Sequence, residues 1–167
     1  IPSNLEPAMS PSILMYCTTC HADDEGGSDG PHGSSFAPIL KERYETADNT
    51  PEGFENYALC YRCHDQASIL RDDSFRKSSL RSTPSGGGGH SGHLTAGIPC
   101  SACHDPHGVA DNGASGTGSH THLINFDVRI VLPKAGNAVP MFNDTGTFSG
   151  SCTLVCHGFI HDSTSYP

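Results

Sequence analysis

The stretch Cys100-Ser-Ala-Cys103-His104 places a histidine directly after two cysteines that are separated by two residues. The same pattern occurs, with one extra residue in the last copy, in Cys17-Thr-Thr-Cys20-His21, Cys60-Tyr-Arg-Cys63-His64 and Cys152-Thr-Leu-Val-Cys156-His157. These four motifs, numbered one to four in chain order, use all eight cysteines of the chain. Cys-x-x-Cys-His is the attachment site of c-type haem, in which two thiols form thioethers with the porphyrin and the histidine binds the iron. The sequence therefore predicts four covalently bound haems c.

Other chemistries also use Cys-x-x-Cys, notably zinc ribbons and thioredoxin-like redox sites. Two zinc sites would use eight cysteines, but they do not require a histidine after every second cysteine, and neither does a disulfide framework. The three-residue spacing of motif four is rarer for haem. Beside three regular copies we interpret it as a fourth haem site.

The composition supports a chain that wraps cofactors. Hydrophobic residues make up 35% of the 167 residues, there is no tryptophan, and there are 19 glycines and 12 prolines. Four porphyrins would supply the missing apolar core. We therefore expect a multihaem cytochrome c fold over residues 1–167, a single domain of mostly coil with a few short helices and at most one small hairpin, wrapped around four covalently bound haems.

The charge and hydropathy of the chain limit its partners. The formal net charge is −9, which argues against binding nucleic acid or anionic lipid. No apolar run approaches transmembrane length. Because haem is attached to this motif outside the bacterial cytoplasm, we expect Ile1 to be a processed N-terminus. The mature protein is then expected at the cell surface or outside the cell, exported through the periplasm, or else in the periplasm itself.

Local patterns predict several elements. An extended arm is expected over residues 1–16, an acidic loop over 22–35 and a short amphipathic helix over 36–48. Pro51 and Glu52 indicate the start of a helix that ends on motif two. The Ser/Gly-rich residues 79–99 are expected to form a loop. The last predicted elements are a strand over 122–132 and a turn over 144–150, which could close a hairpin begun at Phe126.

Each haem iron needs a second axial ligand, and histidine is the abundant candidate, with eleven histidines against three methionines. Two imidazoles would close the iron to substrates and favour electron transfer. The predicted distal ligands are His32, His90, His93, His107 and His122. His120 and His161 are weaker candidates.

Several stretches together resemble the extracellular multihaem cytochromes of metal-reducing bacteria, and in particular the tetrahaem members that polymerise into nanowires. They are 59–64, 99–108, 122–126 and 145–158. The His90-x-x-His93 pair ahead of motif three also resembles the distal ligands of small c3-type cytochromes. The nanowire resemblance implies bis-histidine haems stacked in a continuous chain and subunits joined end to end. It further implies that one subunit lends an axial histidine to a haem of the next, for which His32 is the first candidate because residues 1–20 contain no histidine.

Three functions remain open at this point. The first is a polymeric conduit that carries electrons to extracellular acceptors, with copies of itself and other multihaem cytochromes as partners. The second is a soluble periplasmic shuttle of the c3 class. That class is usually richer in lysine, so a total of nine lysines and arginines fits it poorly. The third is a multihaem reductase, which would need an iron with an open face. We expect an electron-transfer protein and no enzyme, because every motif ends in histidine and further histidines abound.

Overall fold

The computed structural model describes residues 12–26, 33–72, 89–108, 121–146 and 149–166, without the side chains of Thr121 and Tyr166. Its helices are all short. They are α1 (Cys17–Cys20), α2 (Ala58–Tyr61), α3 (Gln66–Leu70) and α4 (His90–Thr95), with single 3-10 turns at Phe54–Tyr57, Cys100–Ala102 and Thr121–Leu123. Short helices need tertiary contacts to persist.

A four-stranded antiparallel sheet forms the C-terminal part of the chain. Its strands are β1 (Val131–Leu132), β2 (Met141–Gly146), β3 (Ser149–Cys156) and β4 (Phe159–Tyr166). β3 is central, with β4 along one edge and both β1 and β2 along the other. β3 and β4 are joined by a tight turn at His157 and Gly158, whose φ angles of 47° and 76° suit a two-residue hairpin.

Two small apolar clusters hold these elements. One lies under the sheet, where Phe142 and Leu154 pack with Ile98, Ala102 and Val131. The other contains Tyr57, Tyr61 and Leu94, and so joins α2 to α4. Cysteines of motifs two, three and four pack against or within these clusters, so three of the four motifs border the apolar core of the described residues.

The helix predicted over residues 36–48 is absent, and that prediction was wrong. Phe36 to Leu40 instead form a tight turn, in which the Leu40 N–H donates to the Phe36 carbonyl at 2.8 Å. Pro38 lies inside the turn and has no N–H to give to a helix, and Ile39 has a φ of 67°, outside the helical region. Leu40 then forms a β-bridge with His21, which brings this segment onto motif one.

The loop predicted over 79–99 is wrong for its second half. Residues 90–95 form α4 despite their Ser/Gly-rich sequence, whereas 79–88 lie outside the described residues. Tertiary contacts explain the helix: Leu94 is buried in the tyrosine cluster and Ser91 is bonded to Asp72. The helix predicted to lead from Pro51 into motif two is confirmed only over 54–61.

The strand predicted over 122–132 is reduced to Val131–Leu132. His122 and Leu123 have positive φ, and a turn at Asp127 interrupts the rest, because the Asp127 carbonyl accepts the N–H groups of Ile130 and Val131. The hairpin therefore begins at Met141 rather than at Phe126, and its last described pair, Gly146 with Ser149, lies within the predicted 144–150 region. Two successive hairpins, β2–β3 and β3–β4, exceed the predicted single one.

Candidate functional site

Motifs one, two and three share one local conformation. In each, the histidine N–H donates to the carbonyl of the first cysteine, at 2.8 Å for His21, 2.9 Å for His64 and 3.0 Å for His104. This is one α-helical turn, which places residues i and i+3 on the same side about 5–6 Å apart. The two thiols of each motif therefore lie close together with the histidine next to them. This arrangement fits a porphyrin held by two neighbouring thioethers.

Motif four has a different conformation. Cys152 and Cys156 both lie on β3, and His157 follows in the turn to β4. Four residues of extended strand span about 13 Å, roughly twice the spacing of a helical turn. Motif four in this conformation does not fit attachment of one porphyrin in the manner of the other three motifs.

The thiols of successive motifs lie within electrostatic range of one another. Burial raises the pKa of the Cys20 thiol, and the charge of Cys60 raises it further. A hydrogen bond to Cys100, together with burial, raises the pKa of Cys60. Motif two is thus next to motif one and motif three.

Motif three in turn adjoins motif four. Burial raises the pKa of Cys103, and the neighbouring charges of Cys152 and Cys156 add to the rise. The four motifs therefore follow one another in space in the order in which they occur along the chain.

The structure also brings histidines together in pairs. His21 and His107 have ring centroids 5.9 Å apart with planes inclined by 20°. His104 and His90 are 6.2 Å apart, inclined by 31°. In each of these two pairs a motif histidine faces a histidine predicted to be a distal ligand.

These separations match two imidazoles on opposite sides of one metal ion. A metal–imidazole bond is about 2 Å long, and a ring nitrogen lies roughly 1.1 Å from the ring centroid, given ring bonds of about 1.33 Å. Two trans ligands then have centroids about 6 Å apart. The centroid separations of the two pairs, 5.9 Å and 6.2 Å, agree with this spacing.

Both motif histidines in these pairs are oriented by backbone carbonyls. Nδ1 of His21 lies 3.1 Å from the Pro38 carbonyl oxygen, and Nδ1 of His104 lies 2.8 Å from that of His122. An Nδ1–H that donates to a carbonyl leaves Nε2 as the free lone pair, which is the usual arrangement around a metal-bound histidine.

Short segments of chain carry these carbonyls to the motifs. Leu40, at the end of the turn at 36–40, forms a β-bridge with His21. The segment 122–127 runs antiparallel to motif three, and its Ile124 forms a β-bridge with His104. Additional backbone hydrogen bonds from Asp105 to Leu123 and from Asn125 to Cys103 fix the second segment.

Burial keeps the pair at motif three neutral. It lowers the pKa of His90 to about 3, helped by the charge of His104. Burial also lowers the pKa of His104, against the opposing hydrogen bond to the His122 carbonyl. A neutral imidazole is the form that binds a metal.

The remaining predicted ligands are placed as follows. His107 is largely exposed and lies 3.6 Å from Asp105. His122 has its Nε2 atom 3.9 Å from an Asp144 carboxylate oxygen and its ring edge-on to Phe142. His64 lies near His90 and His104, since its charge lowers the pKa of both. His32 lies outside the described residues.

Three side-chain contacts were not predicted from the sequence. His93 faces His161, with centroids 6.1 Å apart and planes inclined by 22°. His157 bonds Asp48, with 2.7 Å between Nε2 and Oδ1. Asp72 accepts two hydrogen bonds from Ser91, on the helix that carries His90 and His93. No sequence signal indicates the last two, and His161 could be recognised only as one more histidine.

Within the described part of the chain, no cluster of three or more His, Cys, Asp or Glu side chains is arranged to hold a metal ion. A haem iron takes only two protein ligands, so paired imidazoles satisfy its requirement. The described residues include no helix with the length and apolar character needed to cross a membrane, as the sequence predicted. The chain matches no protein-family model, no curated protein and no solved structure.

Proposed function

We propose that this chain is a tetrahaem c-type cytochrome that transfers electrons through bis-histidine haems. The observation that carries the proposal is the pairing of motif histidines with a second imidazole, His21 with His107 and His104 with His90, at the separation that a shared iron requires. Each thioether forms when a cysteine S–H adds across a porphyrin vinyl group, so this step loses no atoms. The haem, when bound, supplies an iron that changes charge by one electron.

The residues of the chain bind, orient and shield the haems. Helical turns present the thiols of motifs one to three, carbonyls hold imidazoles in one tautomer, and burial keeps His90 neutral. Two imidazoles on one iron would leave no open position for a substrate, and the described residues offer such a pair at motif one and at motif three. The proposal is therefore an electron carrier rather than a reductase.

The order of the motifs supports conduction along the chain. The thiols of motifs one to four adjoin one another in sequence order, so haems attached there would be neighbours in the same order. An electron could then move from one haem to the next across the whole chain.

The finer proposal is that copies of this chain polymerise into an extracellular filament. β4 is an eight-residue edge strand, and in the described residues its second edge pairs with no other strand. Phe159 and Ile160, adjacent on β4, are 62% and 59% exposed. Residues 13–16 form a second exposed apolar segment, Ile13-Leu-Met-Tyr16. Exposed apolar groups on a long free edge favour association with another chain.

Four measurements on native material test this function. Intact mass should show four covalently attached haems, and the reduced visible spectrum should be that of c-type haem. The reduced protein should bind little carbon monoxide, whereas strong binding would support the reductase. Electron microscopy should show unbranched filaments of uniform width, whereas only monodisperse particles would support the soluble shuttle. A chain without covalent haem would refute the proposal as a whole.

A further inference from the structure

The strand that contains motif four is interrupted within the motif itself. Cys152 and Thr153 pair with β2, whereas Val155 and Cys156 pair with β1. Between them, Leu154 has no strand partner on this edge of β3 among the described residues. This edge of β3 is therefore held by two separate strands, with a gap at the middle of motif four.

The other edge of β3 is irregular at the same place. The register with β4 shifts between Cys152 and Leu154, because two residues of β4 lie opposite Thr153 alone. One of them, Ser163, has a φ of 51°, and its N–H donates to Oγ1 of Thr153 at 3.1 Å. Such a bulge leaves a residue out of the ladder and disrupts the pairing locally. The pairing of β3 is thus interrupted on both edges within motif four.

The two thiols of motif four do not fit one porphyrin in the strand conformation. Cys152 and Cys156 lie about 13 Å apart along the strand, and Cys156 is 6% exposed within the apolar cluster under the sheet. The Nε2 atom of His157 is 2.7 Å from Oδ1 of Asp48. In an α-helical turn, by contrast, residues i and i+4 share one face about 5–6 Å apart. A helical turn over 152–156 would bring these thiols as close together as those of the other three motifs.

We propose that residues 152–157 have two conformations, the paired strand and a helical turn, and that only the helical turn can hold a porphyrin through both cysteines. The inference rests on the proposed tetrahaem function, because a fourth haem requires motif four to leave the strand. Leu154 is 4% exposed in the strand, so the strand is favoured before attachment. The change stays local, since Gly150 and Ser151 keep their pairs with β2 and with the end of β4. It releases the first half of β4 from β3.

The test compares amide hydrogen exchange in two full-length holoproteins. One is the native chain and the other is Cys152→Ala/Cys156→Ala, which cannot attach a haem at motif four and should carry three haems by intact mass. Because the variant keeps β3 paired with β4, the backbone amides of 159–163 should exchange about tenfold or more faster in the native protein. The matched control is Cys17→Ala/Cys20→Ala, which removes the haem of motif one and should leave these amides as fast as in the native protein. Equal exchange rates in the native protein and the motif-four variant would overturn the inference.

A measurement on the native protein alone keeps the inference testable if the double variant accumulates poorly. The amides of 159–163 should then exchange about as fast as those of 134–136, which lie in a loop between strands. Four attached haems together with slow exchange at 159–163 would overturn the inference and leave the tetrahaem function standing. Three attached haems with slow exchange would also overturn it, because motif four would then stay a strand without haem, and the function would be that of a trihaem carrier. An absence of covalent haem in the native protein would refute the function itself.

Discussion

Asp72 is expected to hold α4, the helix that carries His90 and His93, two of the proposed axial ligands. It is 5% exposed, and its carboxylate accepts hydrogen bonds from the Ser91 N–H at 2.7 Å and the Ser91 hydroxyl at 2.6 Å. Ser91 is the second residue of α4, between His90 and His93. The first N–H groups of a helix have no partner within it, so Asp72 supplies one from outside.

Asp72→Ala should destabilise the protein by about 3–5 kcal/mol. A hydrogen bond to a charged group contributes about 1.5–3 kcal/mol. Two such bonds end on one carboxylate, so their losses are not fully additive. Asp72→Asn should cost roughly half as much, because its amide oxygen still accepts one hydrogen bond and asparagine tolerates the positive φ of 57° at this position.

The assay combines denaturant unfolding, followed by haem absorption, with the high-spin fraction of the ferric protein. Because α4 carries His90 and His93, Asp72→Ala should add high-spin haem, and the asparagine variant should restore most of the low-spin spectrum. The control is Asp162→Ala, which removes a largely exposed ion pair with Lys134 and should cost at most about 1 kcal/mol. An Asp72→Ala protein with native unfolding midpoint and native spectrum would show that Asp72 does not position α4.

Three further outcomes follow from the site and the fold. His107→Ala should let one iron bind about one carbon monoxide per chain, whereas Pro106→Ala at the neighbouring position should not change carbon monoxide binding. If carbon monoxide binding is unchanged in both variants, His107 is not a ligand of the motif-one iron. Ile160→Lys, which places a charge on the exposed edge strand, should leave the haem spectrum native and reduce filament length in electron micrographs, and normal filaments would exclude this edge from the contact. Gly97→Ala should lower the free energy of unfolding by about 1–3 kcal/mol in denaturant unfolding, because φ is +79° and the new Cβ would lie 2.9 Å from a backbone atom of a neighbouring loop. Gly136 has a similar φ but open space around it, so Gly136→Ala should cost less. Equal losses of stability in the two variants would argue against the clash at Gly97.

Only part of the fold could be predicted from the sequence. The cysteine motifs are contiguous, so their pattern can be read directly, and three of them adopt the same helical turn. The helix expected over 36–48 failed because one proline inside an amphipathic pattern was given too little weight. α4 was missed for the opposite reason: its sequence favours a loop, and it forms through the burial of Leu94 and the bond to Asp72.

The distal ligands could be proposed from the sequence but not paired. His107 faces His21, although His107 follows motif three in the sequence and His21 belongs to motif one. No local sequence pattern relates the two positions. His161 is a similar case, since its partnership with His93 depends on the β3–β4 register and on the placement of α4. Pairing is a property of the tertiary fold, and sequence spacing carries no information about it.

The orientation of the imidazoles bears on how so polar a chain would hold the proposed haems. The carbonyls of Pro38, Gly89 and His122 each accept from an imidazole Nδ1–H, so ligand geometry is set by the path of the backbone rather than by neighbouring side chains. A carbonyl carries no titrating charge, and it therefore fixes the tautomer without adding a proton-linked step. The partner of His157 is instead a carboxylate oxygen of Asp48, 2.7 Å from Nε2, so a side chain rather than the backbone orients this ring.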